Sequence, residues 1–207
     1  MDIKEYSKLI KAKRKELDDL MKRKMPVIAG RMAKDHFQDN FRQGGFVNGG
    51  LHPWPKSKRL SSGGTDAASN YGTLLSDRKH LFKSVGYTPA DYRVRVFNEV
   101  VYAPVHNWGG EIDVTVTDRM RRFAWVKFYK ASGKRKKAGT GQKKRVKRRS
   151  KLKELNPQAQ FWRNMALTKK KKLHIRIPQR QFIGESKELS DRITKKTENE
   201  IRNILNL

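Results

Sequence analysis

The sequence contains no cysteine among its 207 residues. Disulfide bonds and thiolate metal sites are therefore excluded, and the composition fits a reducing cytoplasm. No run of about 18 apolar residues occurs, which predicts no membrane span and no membrane partner. The first residues, Met1 to Glu5, lead into no apolar stretch of the kind that a signal peptide has, so no signal peptide is expected. Because apolar residues make up only 36% of the chain, we expect one domain over residues 1–207, with part of its length in an excursion outside the core.

Acidic residues are also scarce, since 20 Asp and Glu stand against 49 Lys and Arg and give a net charge of +29. Such an excess attracts polyanions. Segment 134–153 alone holds 12 Lys or Arg and no acid. Three interpretations stay open for it: a solvated loop, non-specific contact with the phosphates of genomic DNA, or docking on an acidic partner protein. The residues considered for the last two are Lys134, Arg135, Lys136, Lys137, Lys143, Lys144, Arg145, Lys147, Arg148 and Arg149.

The spacing of apolar residues predicts an α+β fold, in which a small antiparallel sheet packs against N-terminal and C-terminal helices. Two N-terminal helices are expected within residues 2–42, separated near Pro26. A long loop is expected over 44–73, where Gly, Ser, Pro and Asn are frequent. The remaining segments are a helix and strands over 74–128, a basic loop over 129–155, and a helix, a strand and a C-terminal helix over 156–207.

Shorter signals place single elements within this outline. Ser76 or Asp77 is expected to cap a short helix, and Asn156 is expected to cap a helix that begins at Pro157. The last helix is expected to begin near Ser186. Alternation of apolar and polar residues, or a short apolar run, predicts the strands. These are Asp91–Asn98, Val114–Val116, Phe123–Phe128 and Leu173–Ile177.

Two motifs stand far apart in the chain, Tyr102–Gly110 (Tyr-Ala-Pro-Val-His-Asn-Trp-Gly-Gly) and Ile177–Gly184 (Ile-Pro-Gln-Arg-Gln-Phe-Ile-Gly). Both combine turn formers with a polar anchor and bulky apolar residues, a mixture typical of contact surfaces. For Arg180 two interpretations stay open. Its planar guanidinium suits a bidentate contact to a carboxylate on a neighbouring subunit. It can equally form an ion pair within the chain or remain solvated.

No pattern in the sequence supports catalysis. The five histidines lack metal-ligand spacing, and no phosphate-binding glycine loop or Gly-x-Ser-x-Gly element occurs. His106 stands near Glu111 and Asp113, which would suit a base or a ligand. We favour a structural role, with its imidazole bonded to backbone carbonyls under the Gly109-Gly110 turn. We therefore expect no enzyme, no metal and no cofactor.

The two motifs give the chain a resemblance to a known family. Together with Phe37–Gly45, Trp54 and Leu75–Val85, they resemble the virion morphogenesis, or tail-completion, proteins of Mu-like tailed phages. The resemblance covers roughly residues 28–207. It implies a non-enzymatic structural protein of the virion tail or neck, assembled in the cytoplasm of the bacterial host.

Family analogy implies how such a protein would assemble. It implies a ring of identical subunits, with a hexamer matching a six-fold tail. One face of the ring would contact the tail tube or tail terminator protein, and the other the head connector or head-closure protein. The residues expected to contact a subunit or partner are Trp54, Tyr102, His106, Trp108, Gly109, Gly110, Pro178, Arg180, Phe182 and Ile183.

Two other classes of protein stay open. One is a non-specific nucleic-acid-binding protein that uses segment 134–153 as its main surface and acts as a monomer. The other is an enzyme such as a nuclease, although the acidic residues are too sparse and scattered for a two-metal site.

Overall fold

The structure is a computed structural model that describes residues 2–57, 60, 71–133 and 156–206. The chain forms two compact units. The first unit comprises Met1–Gly110 and Ile177–Leu207, and the second comprises Glu111–Arg176. The sequence between the two motifs therefore forms the second unit. The first unit is formed by the two stretches of sequence on either side of it.

The first unit begins with a long helical stretch. Helix α1 (Ile3–Asp19) leads into a π-helical segment (Leu20–Lys24) and then into α2 (Met25–Gln43). Pro26 has no N–H to donate to the carbonyl of Lys22, four residues earlier. This carbonyl instead accepts a hydrogen bond of 3.2 Å from the backbone N–H of Tyr92. Instead of the predicted separation of two helices near Pro26, the structure has one continuous helical stretch with a single turn of the rare π-helix just before Met25.

Two antiparallel hairpins follow. Strands β1 (Gly45–Val47) and β2 (Leu51–Pro53) form the first, and β3 (Val85–Ala90) and β4 (Arg93–Asn98) form the second. The predicted long loop over 44–73 therefore begins with a hairpin. Its signal was missed because each strand has only three residues.

Short helices and a C-terminal helix complete the first unit. Helix α3 (His80–Lys83) begins after Lys79, so the predicted caps Ser76 and Asp77 are wrong. Helix α4 spans Ala103–Trp108. Helix α7 (Lys187–Leu205) is capped by Ser186, whose hydroxyl accepts from the backbone N–H of Leu189. Helix α2 packs against the β3–β4 hairpin and against α7.

The core of the first unit is built around Phe41, which is only 1% exposed. Its ring lies edge-on to Trp54 and Phe82, with centroid distances of 5.5 and 5.9 Å. The ring of Phe182 lies 5.0 Å away. Aromatic pairs in this distance range add stability beyond the area that they bury. The core therefore joins the N-terminal helices to the segment that follows the second unit.

The described residues of the second unit form two strands and two helices. Strand β5 (Gly110–Thr115) pairs with β6 (Lys172–Ile177), and α5 (Asp118–Ser132) packs against α6 (Pro157–Leu167). Two aromatic residues on these helices, Phe123 and Phe161, are more than half exposed.

The predicted strand Phe123–Phe128 is wrong, because these residues lie within α5. Thr117 caps this helix by accepting from the backbone N–H of Met120. Ala124 and Phe128 are buried, and their spacing of four residues is the helical period. Three aromatic residues among six, Phe123, Trp125 and Phe128, gave the segment the composition of a strand. Helix α5 also extends into the predicted basic loop.

The predicted fold class is confirmed, since the chain is α+β with small antiparallel sheets and terminal helices. The strand over Asp91–Asn98 is confirmed with a later start, and Leu173–Ile177 is confirmed as most of β6. Asn156 caps α6 as expected, because its side chain accepts from the backbone N–H of Ala159 at 2.7 Å.

Candidate contact site

The first motif forms a short helix that ends abruptly. Helix α4 follows Tyr102 and ends at Gly109, whose φ of 75° and ψ of 174° belong to a region that is accessible essentially only to glycine. A Cβ at this position would lie 3.0 Å from the backbone nitrogen of Gln179. Glycine is thus required both by the backbone angles and by the close approach of the second motif.

The second motif lies directly against the first. The backbone N–H of Arg180 donates to the carbonyl of His106 at 2.7 Å. The side chain of Asn107 accepts from the N–H groups of Phe182 and Ile183 at 2.9 and 3.0 Å, and its amide donates to the carbonyl of Ile183 at 3.0 Å. The structure therefore joins two motifs about 70 residues apart into one hydrogen-bonded site.

Asn107 was not among the predicted site residues, although it is 5% exposed and makes three of the bonds that hold the site. A second amide, Asn40 on α2, donates to the carbonyl of Phe182 at 3.2 Å and accepts from the N–H of Val47. The one local signal was the position of Asn107 between a histidine and a tryptophan in a motif otherwise composed of apolar and turn residues. Nothing in the local sequence of Asn40 marks it.

Several predicted contact residues lie inside the first unit. Trp54 and Phe182 are 6% and 1% exposed, and the indole N–H of Trp54 donates to the carbonyl of Gln181 at 2.7 Å. Arg180 is also buried, and its Nε donates to the carbonyl of Pro55 at 2.9 Å. Ile183 is half-buried beside the core. These buried and half-buried side chains pack within the first unit, so they offer little surface to a partner.

Other predicted residues face solvent. Trp108 is 69% exposed and Tyr102 is 44% exposed. Pro178 and Gly110 are exposed as well, whereas Gly109 is partly buried. A cavity of about 420 Å³ lies beside Trp108, with Phe97, Pro104 and Ile183 among its lining residues. The surface of the joined motifs thus offers one large aromatic side chain next to an apolar depression.

His106 lies within the site without a complete set of hydrogen bonds. Its Nδ1 is buried and has no partner among the residues that the structure describes, so the predicted bonding of the imidazole to backbone carbonyls is not found there at this nitrogen. Its ring packs edge-on against Tyr102, with centroids 5.9 Å apart. Burial and the nearby Arg180 guanidinium lower the pKa of His106. Both effects favour the neutral imidazole.

No cluster of three or more His, Asp or Glu side chains that could hold a metal ion occurs among the described residues. Asp113, considered beside His106, pairs with His174. Every helix of the described segments is too short or too polar to cross a bilayer. The basic residues from Lys134 to Arg149 lie outside the described residues.

Replacement of Gly109 by alanine should destabilise the first unit by about 2 kcal/mol, because it combines unfavourable backbone angles with a clash against the second motif. Urea denaturation would measure the loss. Gly44→Ala is the matched control, since Gly44 has a φ of 69° and no atom within 4 Å of its added Cβ. It should cost about 1 kcal/mol. Equal losses in the two variants would contradict a tight contact between the motifs.

No known protein family, no curated protein and no solved structure shows a significant match to this chain.

Proposed function

We propose that this chain is a structural virion protein of a tailed bacteriophage, a tail-completion or neck component that acts as an oligomeric ring. The observation that carries the proposal is the joining of its two motifs. These motifs are the residues on which the phage resemblance rests, and the side chain of Asn107 holds them together through three hydrogen bonds. We call the joined motifs, Tyr102–Gly110 and Ile177–Gly184, the corner. An assembly protein needs a contact surface that is ordered before it binds, because ordering a flexible surface on binding costs affinity.

The chemistry of the joined motifs favours binding. Trp108 projects from the corner beside an apolar depression. Exposed tryptophan next to an apolar cavity is typical of residues that dominate interface energies. We assign Trp108 and Tyr102 to contacts with the next subunit of the ring. The tail tube or terminator protein and the head connector or head-closure protein are the proposed neighbours on its two faces.

Trp108→Ala tests this assignment. Because the side chain is largely exposed, the variant should unfold at the same urea concentration as the parent. It should nevertheless weaken ring formation at least tenfold, which corresponds to a hot-spot residue. Light scattering after size exclusion measures the ring in vitro, and electron microscopy of virions made with the variant measures tail completion.

Val101→Ala is the matched control for Trp108→Ala, since Val101 is 96% exposed and lies near the same corner. It should leave ring formation and tail completion intact. Normal virions and normal rings with Trp108→Ala would contradict the proposed contact. Absence of the protein from purified virions would contradict the proposed function itself.

A second candidate, non-specific nucleic-acid binding, is favoured by the 12 Lys and Arg in segment 134–153. Deletion of this segment should then lower DNA affinity at low salt by at least tenfold. It should also flatten the dependence of log affinity on log salt by about 0.9 for each phosphate that the shortened chain no longer neutralises. Fluorescence anisotropy with a short DNA duplex measures both quantities. Unchanged binding by the deletion variant would remove this candidate.

A further inference from the structure

Arg180, a buried residue of the first unit, has no counter-charge among the residues that the structure describes. Arg180 is 8% exposed, and its Nε donates to the carbonyl of Pro55. Among the described residues, no carboxylate lies within ion-pair distance of it, and no acceptor bonds its two terminal nitrogens. Burial lowers the pKa of Arg180. A buried charge without a partner is costly, so such a group is normally paired.

The guanidinium lines a cavity of about 260 Å³. His106 lines the same cavity, and its buried Nδ1 has no hydrogen-bond partner within the described part of the chain. Thr73 and Ser76 contribute further polar side chains, while Leu81 is among the apolar lining residues. The cavity therefore brings an unpaired cation and an unpaired ring nitrogen together on a partly apolar wall, with room for a small group.

We propose that this cavity is a carboxylate-binding site, in which Arg180 and His106 donate to the two oxygens of one carboxylate. The planar fork of a guanidinium matches a carboxylate in geometry. One guanidinium beside a neutral imidazole also carries a single positive charge, which a carboxylate balances. Inorganic phosphate carries more negative charge near pH 7 and would be left partly uncompensated.

Titration with sodium acetate tests the site, with sodium chloride used to hold the ionic strength constant. NMR signals of the Arg180 Nε–H and of the His106 ring should shift and saturate, with a dissociation constant on the order of 1 to 10 mM. Inorganic phosphate should bind more weakly. Identical titrations with acetate and chloride, or tighter binding of phosphate, would overturn the proposal.

Arg180→Gln should weaken acetate binding by at least tenfold. Arg93→Gln, which removes an exposed arginine of the same unit, should leave it unchanged. Because Arg180→Gln also loses the bond to Pro55, a variant that keeps the arginine is needed. Ser76→Glu places a carboxylate at the exposed rim of the cavity. It should block acetate, whereas Ser76→Gln should bind acetate like the parent. Equal acetate binding by Ser76→Glu and Ser76→Gln would count against the assigned cavity.

Two sources supply a carboxylate, a small organic acid and an acidic side chain of another protein. A blocked Ala-Glu-Ala peptide separates them, with Ala-Gln-Ala as its control. Binding of the Glu peptide at least as tightly as acetate assigns the site to protein side chains. Exclusion of the peptide assigns it to small acids.

Asp66 is the one acidic residue between Ser57 and Thr73 in the sequence. Asp66→Asn therefore tests whether the chain supplies the carboxylate itself. We expect this variant and the parent to bind acetate equally. Acetate binding that occurs only in Asp66→Asn would show that the cavity is filled from within the chain, and it would overturn a site for an external ligand.

Discussion

Replacement of Phe41 by alanine should lower the free energy of unfolding of the first unit by about 4 kcal/mol, the largest effect that we expect from one substitution. The ring is 1% exposed and contacts three other aromatic rings, those of Trp54, Phe82 and Phe182. Its removal leaves a cavity between α2, the segment after β2 and the second motif. All three would then lose packing at once.

Urea denaturation followed by tryptophan fluorescence measures this loss. The substitution is best made with Trp125 and Trp162 replaced by phenylalanine, so that Trp54 and Trp108 report on the first unit alone. Tyr6→Ala is the matched control, because Tyr6 lies in the first unit and is 57% exposed. It should cost no more than about 1 kcal/mol. A loss below about 1 kcal/mol for Phe41→Ala would mean that this ring does not connect the three segments.

Replacement of Asn107 by alanine is expected to have the second largest effect, a loss of about 3 kcal/mol. The variant leaves the N–H of Phe182 and both backbone polar groups of Ile183 without their present partner. An unsatisfied buried group costs about 1–3 kcal/mol, and water that reaches Ile183 reduces the total. The same variant should release the second motif from the first, so it should also impair any function that needs the joined corner.

Asn107→Asp refines this test, because a carboxylate keeps the acceptor for Phe182 and Ile183 but cannot donate to the Ile183 carbonyl when ionised. Its stability should fall between those of the parent and of Asn107→Ala. Asn203→Ala, at an exposed position of α7, is the control and should be nearly neutral. Hydrogen exchange at the amides of Phe182 and Ile183 provides an independent measurement. Unchanged protection of these amides in Asn107→Ala would refute the bridging role.

Local periodicity was sufficient for much of the fold. Apolar spacing along residues 2–42 and the capping side chain of Asn156 are properties of a few neighbouring residues, and they predicted the helices well. The strand prediction for Phe123–Phe128 was wrong because aromatic composition was given more weight than the four-residue interval between Ala124 and Phe128. Ala124 and Phe128 are both buried on one face of the helix, and this burial favours the helix over a strand.

The candidate site was predicted in its parts but not in its arrangement. Both motifs were recognised as turns with polar anchors, yet their contact through Asn107 joins residues 75 and 76 positions apart. No local pattern encodes such a pairing. For the same reason Phe182 was expected at a partner interface, whereas it is buried against Phe41. A bulky apolar residue in a turn has the same local appearance in either place.

The interrupted first unit has a consequence for how the protein is made. Asn40 and Phe41 emerge early from the ribosome, but the carbonyl that Asn40 binds belongs to a residue added 142 positions later. Until that residue is translated, the aromatic centre stays incomplete and its apolar surface remains open to solvent. Closing so long a loop is slow, because distant contacts must be found before they contribute stability. The first unit therefore cannot finish folding until nearly the whole polypeptide has been synthesised. A nascent chain stopped before residue 180 cannot reach the native state.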